Sequence, residues 1–237
     1  MEAILRSIRQ DLQDSADEQT KATSHRFFKE EVLVYGVKSA VVIKIARRHW
    51  KEISYLDKNE IFALCEDLLS SGYCEETFVV SDWLPNLADQ FVEQDIFQFR
   101  TWIEQYIDNW AKCDSFCNHT VGNLVMKFPR SIEELKNWAQ TSQRWLKRAA
   151  AVTLIIPAKR GAFLQQVFEI ATILLCDPDD MVQKGYGWML KEASRLHQAE
   201  VFQFVVEHKR EMPRTALRYA IELMPDEMRK TAMARDW

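Results

Sequence analysis

The stretch "LKRAAAVTLI" (Leu146–Ile155) returns twice in altered form, as "VQKGYGWMLK" (Val182–Lys191) and "ALRYAIELMP" (Ala216–Pro225). Each carries a basic residue, Arg148, Lys184 or Arg218, then a small residue nearby and an apolar run. The basic positions stand 36 apart (148 to 184) and 34 apart (184 to 218). A period of roughly 35 to 45 residues in a helical chain is that of stacked helical pairs. The small residues let stacked helices approach closely. A cation that recurs once per repeat is expected to recur on one surface, the concave one. Such a surface suits a long anionic ligand.

The remainder of the chain reads the same way. "SAVVIKIARRHWKEI" sets Val42, Ile45, Ala46 and His49 on one side, and "IFALCEDLLSS" and "FRTWIEQYIDNW" repeat the spacing of three and four. Trp102, Tyr106 and Trp110 form an aromatic stripe at i, i+4 and i+8, a pattern usually buried. No Asn-Gly or Asp-Gly turn separates alternating segments, so strands are not expected. Helix breaks are expected at "KFPRS", "IIPAKRG", "CDPDD", "EMPRT" and "LMPDE". The fold expected is all-α: one solenoid domain of antiparallel helical pairs over residues 1–237.

Composition bounds the function. Of 237 residues, 47% are hydrophobic and 28% charged, the balance of a globular protein with a core to bury. No run approaches the ~18 apolar residues of a membrane span. The start, "MEAILRSIRQDLQDSADEQ", turns polar too early for a secretion signal. The expected location is the cytoplasm, at the nucleoid. Five cysteines without a secretion signal read as free thiols. Cys113, Cys117 and His119 have metal-like spacing, but no second Cys/His cluster follows, so no metal is expected. The net charge of -4 hides an asymmetry. Residues 144–237 hold 15 Lys/Arg against 12 Asp/Glu, while residues 1–143 hold 16 against 23. The basic excess falls on the part with the repeating cations.

"IDNWAKCDSF" (Ile107–Phe116) places Trp110 and Asp114 four residues apart, about one helical turn. The plain reading is a core tryptophan and an aspartate capping the next helix. The alternative is half of a site for a cationic substrate. The residues alone leave both open, and the same holds for Trp188, which can be core or site.

Three stretches resemble the AlkD-like family of DNA glycosylases, built from HEAT-like repeats, over roughly residues 23–234. "DNWAKCDSF" is similar to the family's Asn-Trp-x-x-x-Asp segment. "WLKRAAAV" is similar to its Trp-x-x-Arg-Ala-Ala segment. "DDMVQKGYGWMLKEASR" is similar to its Val-Gln-Lys-x-x-Gly-Trp-x-Leu-Arg-Glu segment. The resemblance implies a monofunctional glycosylase that excises cationic N3- or N7-alkylated purines from double-stranded DNA, as a monomer, without cofactor. It implies Trp110, Asp114 and Trp188 as catalytic residues and Arg148 as a backbone-binding arginine. Lys184 and Arg218 join Arg148 as DNA contacts through the repeat. Lys38, where some members carry glutamine, is a fourth. The resemblance also implies a lesion left stacked in the duplex while the protein grips the backbone.

The N-terminal segment departs from the family. "YGVKSAVVIK" has Ser39-Ala40 where members often have Thr-Pro, and no arginine follows at the usual place; Phe27 stands where some carry tyrosine. Lys112 and Lys147 lie near the motifs, but nothing singles out either as a lyase nucleophile. The competing readings are a non-catalytic repeat protein that binds DNA structures and a scaffold for a protein partner.

Overall fold

The structure, a computed structural model, describes residues 1–29 and 31–235. Among these the chain is helical throughout, with one isolated β-bridge between Leu33 and Tyr73 and no strand. No described helix is long and apolar enough to cross a membrane. The chain divides into two compact units, residues 1–116 and 117–237.

Unit one holds α1 (Glu2–Asp14), α2 (Glu18–Phe27), α3 (Ser39–Ile53), α4 (Lys58–Ser70), α5 (Cys74–Trp83), α6 (Asp95–Tyr106) and α7 (Trp110–Phe116). Helices α1, α3, α5 and α7 pack in succession as one row, and α4 packs on both α5 and α6 behind it. The face of α3 expected from its spacing is the one buried: Val42, Ile45, Ala46 and His49. The Trp83 indole of α5 donates to the Ala46 carbonyl at 2.8 Å, which joins α5 to α3 through a buried polar bond. Phe62, Phe91, Phe99, Trp102 and Phe116 form an aromatic core with centroids 5.2–6.4 Å apart. The Trp102–Tyr106–Trp110 stripe does not exist as one face. Helix α6 stops at Tyr106, Ile107 is extended, and Trp110 opens a new helix.

Unit two holds a π-helical turn at Cys117–Val121, then α8 (Gly122–Lys127), α9 (Ile132–Ala139), α10 (Arg144–Thr153), α11 (Ile155–Lys159), α12 (Leu164–Ile173), α13 (Asp180–Ala193), α14 (Gln198–His208), α15 (Arg214–Ala220) and α16 (Asp226–Met233). Its plan is paired helices. Each of α10, α13 and α15 packs on the helix before it, α9, α12 and α14, and the three form a row of their own. The short loops between partners make the pairs antiparallel. The break expected at "IIPAKRG" falls at its end: the short helix α11 stops at Lys159 and the chain turns at Arg160 and Gly161, with a further turn before the stretch at Leu154. Pro157 sits in the first turn of α11, where a missing N–H costs nothing.

The row in unit two depends on glycine in α13. A Cβ on Gly187 would lie 2.7 Å from Tyr219 Cβ and 2.8 Å from the Ala216 carbonyl, so α15 reaches the α13 backbone itself. A Cβ on Gly185 would stand 3.3 Å from the flexible Arg148 side chain of α10. Gly187→Ala should therefore cost stability. Overpacking against backbone costs about 1–3 kcal/mol, more than the ~1 kcal/mol that alanine gains as a helix former. Gly185→Ala should be near neutral, because Arg148 can give way. Urea unfolding midpoints of the two variants check this: a Gly187→Ala protein as stable as the parent would contradict the close approach.

Candidate functional site

Trp110 and Asp114 sit on α7, and α7 exists where it does because of Asn109. The Asn109 side-chain oxygen accepts from the backbone N–H of Ala111 and Lys112 at 3.0 and 3.1 Å, the bonds of an N-cap. Its amide donates to Asp108 Oδ1 at 2.8 Å and faces Cys74 Sγ at 3.4 Å. Lys112 is completely buried; its Nζ donates to the Gly72 carbonyl at 2.6 Å and to Asp108 at 3.0 Å. Buried charge is tolerable here because it is paired and hydrogen-bonded. The Lys112–Gly72 and Asn109–Cys74 contacts fasten α7 to the turn between α4 and α5.

Asp114 is the fifth residue of α7 and is buried to 8% exposure. It lies inside the helix, so the reading of Asp114 as a cap for a following helix is wrong. The cap is Asn109, one helix start earlier. Trp110, at the first position of α7, is half-buried. The rings of Phe27 and Phe28, from the end of α2, stand 5.5 and 5.6 Å from it, edge-on and tilted. Phe28 belongs to a small core with Val32, Val34, Cys74 and Phe78, whereas Phe27 is 67% exposed. A cavity of about 410 Å³ opens beside this cluster, lined by α2 residues including Asp17 and Thr20 and by Lys38. Lys38 is exposed at the start of α3. The Asp17 carboxyl, which caps α2, is held below its usual range by hydrogen bonds from the Thr20 hydroxyl and backbone N–H, with the Lys38 charge adding to them.

Unit two carries the other residues. Arg148, Lys184 and Arg218 each precede by two a fully buried residue, Ala150, Tyr186 and Ala220. One of these cations stands on each helix of the row α10, α13 and α15. Their surroundings differ. Arg148 is 5% exposed, lies along Gly185, and donates from a guanidinium nitrogen to the Met181 carbonyl at 2.5 Å. Lys184 pairs with Asp180 at 2.7 Å. Arg218 is exposed.

Trp188 is half-buried, one turn beyond Lys184 on α13. Its side chain hydrogen-bonds to the Glu192 carboxylate one turn on, and Arg195 grips the same carboxylate at 2.5 Å. Burial pushes the Glu192 carboxyl upward, but the Arg195 hydrogen bond and charge and the Trp188 bond outweigh it, so the group sits below its usual range. Asn109 and Glu192 fall within the quoted motifs without a role assigned to them, and Phe28 falls outside them. Asn109 carries a readable signal, an asparagine just before a helix. Glu192 is four residues past Trp188, at hydrogen-bonding distance for a helix. Phe28 carries none.

Two units of packed helical pairs, the first with a half-buried tryptophan on α7 and the second with one on α13, define an all-helical repeat protein. The family model described as "DNA alkylation repair enzyme" matches residues 8–224, and the chain belongs to that family. A solved structure described as "Predicted DNA alkylation repair enzyme from Enterococcus faecalis" has the same fold. The TM-score is 0.80 over 90% of this chain and 98% of that one, at 15% identity. No curated protein matches the chain.

The Glu192 contacts yield a pH test. A carboxyl depressed by folding adds stability that is present above its unfolded value, near 4.5, and lost as pH falls through the lower folded value. The side-chain environment of Trp188 should be constant from neutral pH down to about 5 and change below 4.5. Glu192→Gln should abolish that acid transition. The indole N–H resonance of Trp188, followed by NMR through an acid titration, checks it.

Proposed function

We propose that the protein is a monofunctional DNA glycosylase that removes cationic N3- or N7-alkylated purines from double-stranded DNA, acting as a monomer with residues 1–237 as one HEAT-like domain. Membership in the alkylation repair family supports a DNA substrate with alkylation damage. The observation that carries the finer reading is on α7: a half-exposed Trp110 with Asp114 one turn away, in a helix whose capping is done by another residue.

The chemistry follows from charge. Alkylation at N3 or N7 makes the purine cationic and the C1′–N bond weak. As that bond breaks, its electron pair leaves with the base, which becomes neutral, and the sugar takes on oxocarbenium character. The Asp114 carboxylate stabilises that positive charge and accepts a proton from the water that adds to C1′. The faces of Trp110 and Trp188 attract the cationic base and sugar, each by about 0.5–2 kcal/mol. Arg148, Lys184, Arg218 and Lys38 contact phosphates. Arg148 has part of its guanidinium on Met181, so Lys184 and Arg218 bear more of the salt-dependent attraction.

Incubation with duplex DNA carrying 7-methylguanine should release the free base. Asp114→Asn keeps size and removes charge, and should slow release by at least about tenfold, ~1.4 kcal/mol of barrier, while DNA affinity stays near the parent value. A folded Asp114→Asn protein with parental release would remove Asp114 from the chemistry. A parent that releases no base but binds DNA would leave a non-catalytic binding protein.

Affinity should fall steeply with salt. Four phosphate contacts correspond to a log–log slope of about −3.6. Lys184→Ala or Arg218→Ala should each reduce the slope by about one. A slope near zero in the parent would favour the protein-scaffold reading.

A further inference from the structure

Glu75, remote from both tryptophans in sequence, holds together the parts that shape the Trp110 site. It is the second residue of α5 and 3% exposed. Its carboxylate accepts three successive backbone N–H groups: Tyr35 at 3.1 Å, Gly36 at 2.8 Å and Val37 at 3.0 Å. Three donors converging on one buried carboxylate are charge-assisted bonds, the stronger kind. The neighbouring α5 residues act on the same segment. Cys74 N–H donates to the Leu33 carbonyl at 3.0 Å, the Tyr35 hydroxyl donates to buried Glu76 at 2.7 Å, and the Tyr35 and Tyr73 rings stack at 4.0 Å.

The segment so held is the mount for α2. The Gly36 carbonyl accepts from Asp17 N–H at 3.0 Å. Gly36 has φ +94, and a Cβ there would lie 2.7 Å from Lys21 Cβ and 2.9 Å from the Asp17 carbonyl. The start of α2 thus rests directly on the backbone that Glu75 grips. The end of α2 delivers Phe27 and Phe28 to Trp110. Lys38 follows Val37 immediately. Helix α2 has no buried residue of its own. We propose that Glu75 is a positioning residue for substrate binding: it sets the orientation of α2, and through it the Phe27–Phe28 contact on Trp110 and the placement of Lys38. The functional consequence rests on the glycosylase reading; the mechanical coupling does not.

Glu75→Gln is the test, because it keeps the shape and leaves only one acceptor oxygen for three donors. Amide exchange at Tyr35, Gly36 and Val37 should accelerate. The indole N–H resonance of Trp110, assigned by its loss in Trp110→Phe, should shift. Accelerated exchange with an unmoved Trp110 resonance would overturn the coupling, whether or not the protein releases any base. Release of 7-methylguanine then tests the consequence. KM should rise by about five- to tenfold with kcat changed by less than about twofold, since Asp114 is not displaced. In a double-mutant cycle with Phe27→Ala, Glu75→Gln should add little further loss, because both act through one contact. Full additivity, or a loss matched by the unfolded fraction in a thermal melt, would reduce Glu75 to a stabilising residue. If Glu75→Gln fails to fold, Gly36→Ala strains the same mount and is read by the same three measurements, with the same outcomes deciding. No base release by the parent, together with a Trp110 resonance shifted in Glu75→Gln, would sink the glycosylase reading and leave the coupling standing.

Discussion

The turn from Gly72 to Glu76 is the reference point of unit one. Gly72 takes φ +78 to end α4 and start α5 at close range. From this one turn, backbone and side chains reach in two directions. Toward α7, the Gly72 carbonyl holds Lys112 and the Cys74 thiol meets Asn109. Toward the segment before α3, Glu75 and Glu76 hold Tyr35 to Val37. Trp110 and the phenylalanines that touch it are thus registered to the same few atoms. Buried polar groups of this kind are costly when half satisfied and rigid when fully satisfied. Here Glu75 and Lys112 have their partners, and an aromatic contact between helices far apart in sequence is held in a single geometry.

Unit two solves the same problem with shape instead of charge. Helix α13 has neighbours on both sides, and it meets them through glycines: Gly185 receives the Arg148 stem and Gly187 receives α15. Close backbone approach excludes water and leaves each helix one outward face. The basic residues of the three helices fare differently: Arg148 is buried against α13, Lys184 is partly exposed and Arg218 is exposed. The small residues that make the row possible thus decide how far each cation is drawn into it.

Much of this was legible in the sequence, and the failures have physical causes. Helicity and the buried face of α3 were readable because periodicity reports burial directly. The spacing of Arg148, Lys184 and Arg218 was readable as one cation on each of α10, α13 and α15; the burial of Arg148 was not, because it depends on the groove at Gly185 of a neighbouring helix. The stripe from Trp102 to Trp110 was misread because a helix start depends on a local capping bond, and Asn109 interrupts a pattern that spacing alone continues. The alternative reading of Asp114 as a cap fails for the same reason, since α7 is already capped by Asn109. The roles of Glu75 and Phe28 were invisible, since they rest on contacts between segments that only folding brings together.

The bond between Trp188 and Glu192 has a thermodynamic corollary. An indole tethered to its own helix has already lost its rotameric freedom before any ligand arrives. Phe27 is mostly exposed at the end of α2, but its ring already rests on Phe28 and Trp110. Both aromatic surfaces thus meet a ligand with part of their ordering done beforehand, one by a bond within a helix and the other by ring contacts between helices. A ligand that engages either gains contact area at a reduced entropic cost.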